Sequence, residues 1–133
     1  MKGDVLLQNI RVVGLIPIST GKKSKEIKIM IREAILTKLG KNIDNVKKRC
    51  AGKPLSINIA FFLHKTTHTK KDLDNLSSAV VKILGEAVIS KKDNQKGLEI
   101  ISNVNLIYRI ILEKNLIEKD MKEEFLVSIY EWG

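Results

Sequence analysis

The chain has 133 residues, 44% of them hydrophobic, with a single cysteine and a formal net charge of +9. That length suits one domain with its own core, and the apolar content excludes a disordered chain. No apolar run approaches the roughly 20 residues of a membrane span, MKGDVLLQNI lacks the apolar region and cleavage site of a secretory leader, and Cys50 alone can form neither an internal disulfide nor a cysteine zinc site, so a cytoplasmic protein with an inert buried thiol is expected.

Val5 to Ile16 is apolar and rich in β-branched residues and ends at Pro17, which predicts a first strand. Pro17 to Lys23 is a polar, cationic turn, and Ser24 is placed to cap the helix that follows. Ile27, Ile31, Ala34 and Ile35 fall on one face of that helix, and Gly40 is its expected stop. Asn42 to Cys50 can add another turn or two of helix before Gly52-Lys53-Pro54 breaks the chain. Leu55, Ile57, Ile59, Phe61 and Leu63 alternate without a miss, the pattern of a strand with one buried face.

Leu76, Val80, Ile83, Leu84 and Ala87 predict a second amphipathic helix, and Ser90 to Gly97 a polar loop. Val104, Leu106, Tyr108, Ile110 and Leu112 alternate as a third strand. Asn115 to Glu124 is a charged connection, and Phe125 to Trp132 is a last strand. Strand four follows strand three through this ten-residue connection, which allows the two to pair antiparallel. The order β-α-β-α-β-β gives an α+β fold in a single domain, with two main helices on one face of a mixed four-stranded sheet.

The charge is uneven. Residues 1–71 hold 16 basic and 4 acidic residues (+12), and residues 72–133 hold 8 basic and 11 acidic (−3). A field of that size attracts polyanions, of which nucleic acid is the commonest, although lysines can also serve solubility alone. Aromatic residues are only 5% of the chain, which disfavours a base-stacking platform for single strands. Phe61, Phe62, Tyr108, Tyr130 and Trp132 are better suited to a core or to an interface between copies.

Against this basic background, His68-Thr-Lys-Lys-Asp-Leu-Asp-Asn-Leu76 places Asp72 and Asp74 one residue apart, just ahead of the second helix. On an extended segment side chains at i and i+2 point the same way, whereas on a helix they diverge by about 200°. The pair therefore converges only if the chain is still extended there and Asp74 lies at or near the helix start. One carboxylate can cap the helix. The second is left over, and a divalent cation would relieve the repulsion between the two. Asp93, in the loop Ser90-Lys-Lys-Asp-Asn-Gln95, could supply a third carboxylate. A helix from Asn75 to Ala87 is about 20 Å long, so Asp93 has to return along it. His64 and His68 have the helical spacing of a metal pair but fall in an expected polar loop with no third ligand, where a phosphate contact or a plain loop is the simpler role. Ser19 to Lys23 could grip a phosphate, or be an exposed turn. Lys47-Lys48-Arg49 and Lys91-Lys92 are charge runs that could be solvated surface or part of a nucleic-acid path.

Lys71-Asp72-Leu73-Asp74-Asn75-Leu76, followed by a helix and Asp93-Asn94-Gln95, resembles the RusA-type Holliday junction resolvases, a family of crossover junction endodeoxyribonucleases. Ile16-Pro17-Ile18-Ser19 with Lys22 and Lys23, and the strand Leu55 to Phe62, resemble the family's stretches in the same order. The likeness extends to about Gln95. It implies a homodimer that binds four-way DNA junctions and nicks two opposing strands, with Mg²⁺ or Mn²⁺ held by Asp72, Asp74 and Asp93. Lys22, Lys23, Lys70, Lys71, Lys91 and Lys92 are then expected to meet the DNA. Three departures stand out. Ser78 occupies the position where the family often has a catalytic lysine, Lys92 stands where an acidic residue can precede the third aspartate, and Lys96 to Asn103 looks like an insertion. Lys82, one turn beyond Ser78 and about 12 Å of helix rise from Asp74, is the candidate to compensate. A nucleic-acid-binding module of the same fold that no longer cleaves is the alternative from another class, and a small RNA-binding protein is a third, resting on charge alone.

Overall fold

The computed structural model describes residues 2–17, 23–85, 88–90 and 95–133. Strand β1 (Lys2–Val13) leads to helix α1 (Ser24–Leu39), a short 3-10 turn and α2 (Ile43–Cys50). Strand β2 (Leu55–Leu63) is followed by the short α3 (Lys65–Lys70) and by α4 (Leu73–Leu84). Two small strands, β3 (Val88–Ser90) and β4 (Gln95–Lys96), pair with each other, and β5 (Ile107–Leu116) and β6 (Glu124–Trp132) complete the chain.

The larger sheet has four strands in the order β1-β6-β2-β5. β6 is antiparallel to both of its neighbours, and β2 and β5 are parallel. A parallel pair needs a long crossover, and α4 with the segment after it supplies one. The mixed α+β layout of four strands and two main helices, α1 and α4, is the one the sequence predicts. The antiparallel pairing that the connection allows between the last two strands is not found, because β6 passes beyond β2 and inserts between it and β1. Burial explains the choice. Phe125, Val127 and Ile129 of β6 are fully buried, as are Ile57 and Phe61 of β2, so both strands belong at the centre. In β5, Tyr108 is 59% and Ile110 41% exposed, so the same apolar alternation lies on a sheet edge.

The core fills the space between the helices and one face of this sheet. Ile31 and Ile35 of α1 and Leu76, Val80, Ile83 and Leu84 of α4 pack against Leu55, Ile57, Ile59, Phe61 and Leu63 in one continuous cluster. The Phe61 and Phe125 rings meet at 5.8 Å inside it. Each fully buried side chain of this size contributes roughly 1.5–3 kcal/mol relative to exposure.

Element ends differ from the sequence expectation in instructive ways. β1 ends at Val13 and not at Ile16, since Gly14 turns away with φ 80° and donates its N–H to the Glu123 carbonyl. Ser24 is the first helical residue of α1, with Lys23 at the cap position and no side-chain cap bond there. Gly40, at φ 52°, ends α1 as expected. His64 to His68 is not a loop, because α3 begins at Lys65 with His64 as its extended N-cap residue. Val104 to Leu106 is a 3-10 turn that precedes β5.

The Lys96 to Asn103 segment, read from the sequence as an insertion, packs into the domain. Leu98, Ile100 and Ile101 are buried. The N–H groups of Leu98, Ile101 and Glu99 donate to the carbonyls of Ile83, Leu84 and Gly85, which satisfies the end of α4. Gly97 passes so close to that helix end that a Cβ there would sit 2.7 Å from the Ile83 carbonyl oxygen. Among the described residues, no helix is long and apolar enough to cross a membrane.

Candidate functional site

The two aspartates stand where β2 has delivered the chain to the start of α4. β2 ends at Leu63, and α3 makes little more than one turn before Lys71 and Asp72 run extended, at φ −111°, ψ 128° and φ −93°, ψ 159°. Helix begins again at Leu73. Asp72 is therefore the N-cap, and its Oδ1 accepts the Asn75 N–H at 2.9 Å. This leaves the second carboxylate oxygen of Asp72 without a bond from the helix. Asp74 lies in the first turn and is exposed. Extension thus stops at Asp72, and Asp74 is already helical. Both carboxylates still belong to the positive end of the α4 dipole, which favours negative charge.

Lys114, on β5, reaches under this turn. It is paired in register with Phe61 of β2, so it lies on the helix-covered side of the sheet. Its Nζ donates to the His68 carbonyl at 2.9 Å and to the Lys71 carbonyl. These oxygens belong to the end of α3 and to the residue directly before Asp72. A cation is favoured at such a helix C-terminus. The sequence reading missed Lys114 because it ended the third strand at Leu112. The phase Ile110, Leu112, Lys114 was the available signal, since it puts a lysine on an inward-facing position.

Ser78 and Lys82 continue along α4 and are both exposed. Lys82 lies near Lys28 of α1. Lys28 is only 7% exposed, and its pKa is lowered first by burial and then by the Lys82 charge. Lys23 is exposed at the start of α1, and Lys71 is half-buried. Lys70 closes α3. Asp93, Lys22, Lys91 and Lys92 lie outside the described residues. Val88 pairs with Lys96 and Ser90 with Gln95, so Ser90, Gln95 and Lys96 of the expected Ser90 to Gly97 loop are strand.

Among the described residues no group of three His, Cys, Asp or Glu side chains is arranged to hold a metal. Asp72 and Asp74 are a pair. Mg²⁺ is commonly bound through one or two carboxylates, with waters and phosphate oxygens completing its shell. Asp72 keeps one oxygen outside the cap bond and Asp74 is exposed, but with Asp74 already helical the two carboxylates are not set on one face as an extended pair would be. The histidines do not form a second centre. His64 precedes α3, its Nε2 is 2.6 Å from the Met121 carbonyl, and its backbone N–H donates to Glu123 Oε2 at 2.9 Å. Cys50 is buried, and burial raises its thiol pKa above the ordinary value despite Arg49 and Lys53. No family model matches the chain, and no curated protein matches it.

Proposed function

We propose that this chain is a divalent-metal-dependent endonuclease of the RusA type that binds four-way DNA junctions as a homodimer and nicks two opposing strands. One observation carries the proposal. Asp72 spends a single oxygen on capping α4, and Asp74 stands exposed in the same first turn. Asp72 and Asp74 would hold Mg²⁺ or Mn²⁺, with Asp93 as the third carboxylate that the sequence resemblance implies. The bound cation would polarise the scissile phosphate and lower the pKa of an attacking water.

The chain's own groups have separate tasks. The Asn75 N–H fixes the orientation of Asp72. Lys114 ties down the turn that delivers it. Lys71, Lys82, Lys23 and the further lysines of the basic half attract and position the DNA backbone, which sets affinity but not sequence choice. Work on DNA inside the cell accords with a cytoplasmic location.

Exposed Ser78, in place of the family's frequent lysine, favours a second reading in which the fold binds junctions without cutting them. An end-labelled four-way junction incubated with the protein distinguishes the two, with linear duplex, EDTA and Asp74→Asn as controls. Junction cleavage that needs Mg²⁺ and is lost in the variant supports the nuclease. Tight junction binding with no cleavage supports the binding module.

A further inference from the structure

The four-stranded sheet has two edges, β1 and β5, and they are unlike. β1 has irregular register at three places, and Asn9 within it adopts φ 45°. Such irregularities keep an edge from accepting another strand. β5 has a single register shift, at its start between the Leu55↔Ile107 and Ser56↔Arg109 pairs. It pairs with β2 without a break from Ser56↔Arg109 to Leu63↔Leu116. Among the described residues, β2 is the only strand paired with β5. Ile110 is in register with Ile57 on the helix-covered side, and Ile111 with Asn58 on the uncovered side, yet both isoleucines are 41% exposed. A strand laid alongside would cover apolar groups on both faces at once.

We propose that β5 pairs antiparallel with β5 of a second copy, about a twofold axis at Ile111, to join two sheets into one of eight strands. Charge selects this partner and this register. A twofold axis between antiparallel neighbours stands perpendicular to the sheet, so opposed residues share a face. With Ile111 opposite the partner's Ile111, Arg109 falls opposite the partner's Glu113, and the symmetry makes this pair twice. Centring the axis on Ile110 sets Arg109 against the partner's Ile111, and centring it on Leu112 sets Lys114 against the partner's Ile110. Only the Ile111 register opposes unlike charges. Within one copy Arg109 donates Nε to Ser56 Oγ at 3.0 Å and lies over the Trp132 ring at 5.0 Å. Neither Arg109 nor Glu113 has an ion pair with a described residue.

The perpendicular axis keeps the helices of both copies on the same side of the joined sheet. In this respect alone the inference rests on the proposed function, since both aspartate pairs would face one DNA molecule. Lys114, beside Asp72, is three residues from the axis, about 10 Å along the strand.

Sedimentation of purified protein tests the pairing. The wild-type chain is expected at twice its 15.0 kDa. Arg109→Glu alone and Glu113→Arg alone each set like charges opposite each other and should sediment as monomers. Mixed in equal amounts they should recover the dimer, because one variant then carries two negative and the other two positive side chains at the contact. Ile111→Cys should form an intermolecular disulfide under mild oxidation, whereas the wild-type chain, with Cys50 buried, should not. A wild-type monomer, single variants that remain dimers, or a mixture that stays monomeric would overturn the interface. A dimer that behaves as predicted but cuts no junction would leave the interface standing and overturn only the nuclease. Junction cutting by a dimer insensitive to both single substitutions would do the reverse.

Discussion

Lys114 Nζ donates to the backbone carbonyl of Lys71, 43 residues earlier in the chain, and so ties the turn before Asp72 to the edge strand of the sheet. A cation from a strand thus holds the turn that leads into the acidic start of α4.

Lys114→Met should keep the aliphatic stem and remove the donor to the His68 and Lys71 carbonyls. Hydrogen bonds made by a charged group are worth roughly 1.5–3 kcal/mol each, less where solvent reaches them. A loss of about 1–2 kcal/mol in urea unfolding is expected, with a larger proportional loss of cleavage than of junction affinity. Unchanged stability would show that the lysine does not hold the turn.

Capping and cation binding by Asp72 can be separated. Asn caps a helix about as well as Asp, so Asp72→Asn should stay within about 0.5 kcal/mol of wild type, whereas Asp72→Ala should cost about 1 kcal/mol. Both should lower metal-dependent cleavage by more than about 100-fold, since losing even an outer partner of a metal ligand costs 10–100-fold. Full cleavage by the Asn variant would confine Asp72 to a capping role.

Gly97→Ala should destabilise the protein by about 1–3 kcal/mol, because the new Cβ would meet the backbone carbonyls of Lys82, Ile83 and Gly85 and not a movable side chain. The bonds from Leu98, Glu99 and Ile101 that finish α4 would be displaced with it. Thermal unfolding measures the effect, and a wild-type midpoint would show that the segment can shift at no cost.

Cys50 supplies a pH dependence. Its folded-state pKa is raised, chiefly by burial, above the ordinary 9.0. The folded chain therefore keeps its proton where the unfolded chain releases it, and the associated stability is present below pH 9 and declines as pH rises beyond it. Cys50→Ala should flatten this part of a stability–pH curve. In the native protein the thiol should also resist alkylation at pH 8 and react once urea unfolds the chain.

Much of the fold was legible because period and burial agree. Leu55 to Leu63 alternates and, apart from Ser56, is buried on alternate residues, and Leu76, Val80, Ile83 and Leu84 face the core as their spacing demands. Pairing order was not legible, since β5 and β6 show similar apolar alternation and only tertiary packing makes one an edge and the other central. Leu98, Ile100 and Ile101 have no regular period, so their burial under the end of α4 gave no local signal. In the candidate site, Asp72 as cap was readable from one residue type before a helical pattern. Lys114 was not, because it acts across sequence through a parallel strand pair.

The most direct measurement is to map nick positions in all four labelled strands of a synthetic junction cut with Mg²⁺ under single-turnover conditions. The account predicts nicks at matching positions on one opposing pair of strands, absent from linear duplex and absent with Asp74→Asn. Uncut strands under conditions of saturating junction binding, or nicks scattered over junction and duplex alike, would contradict it.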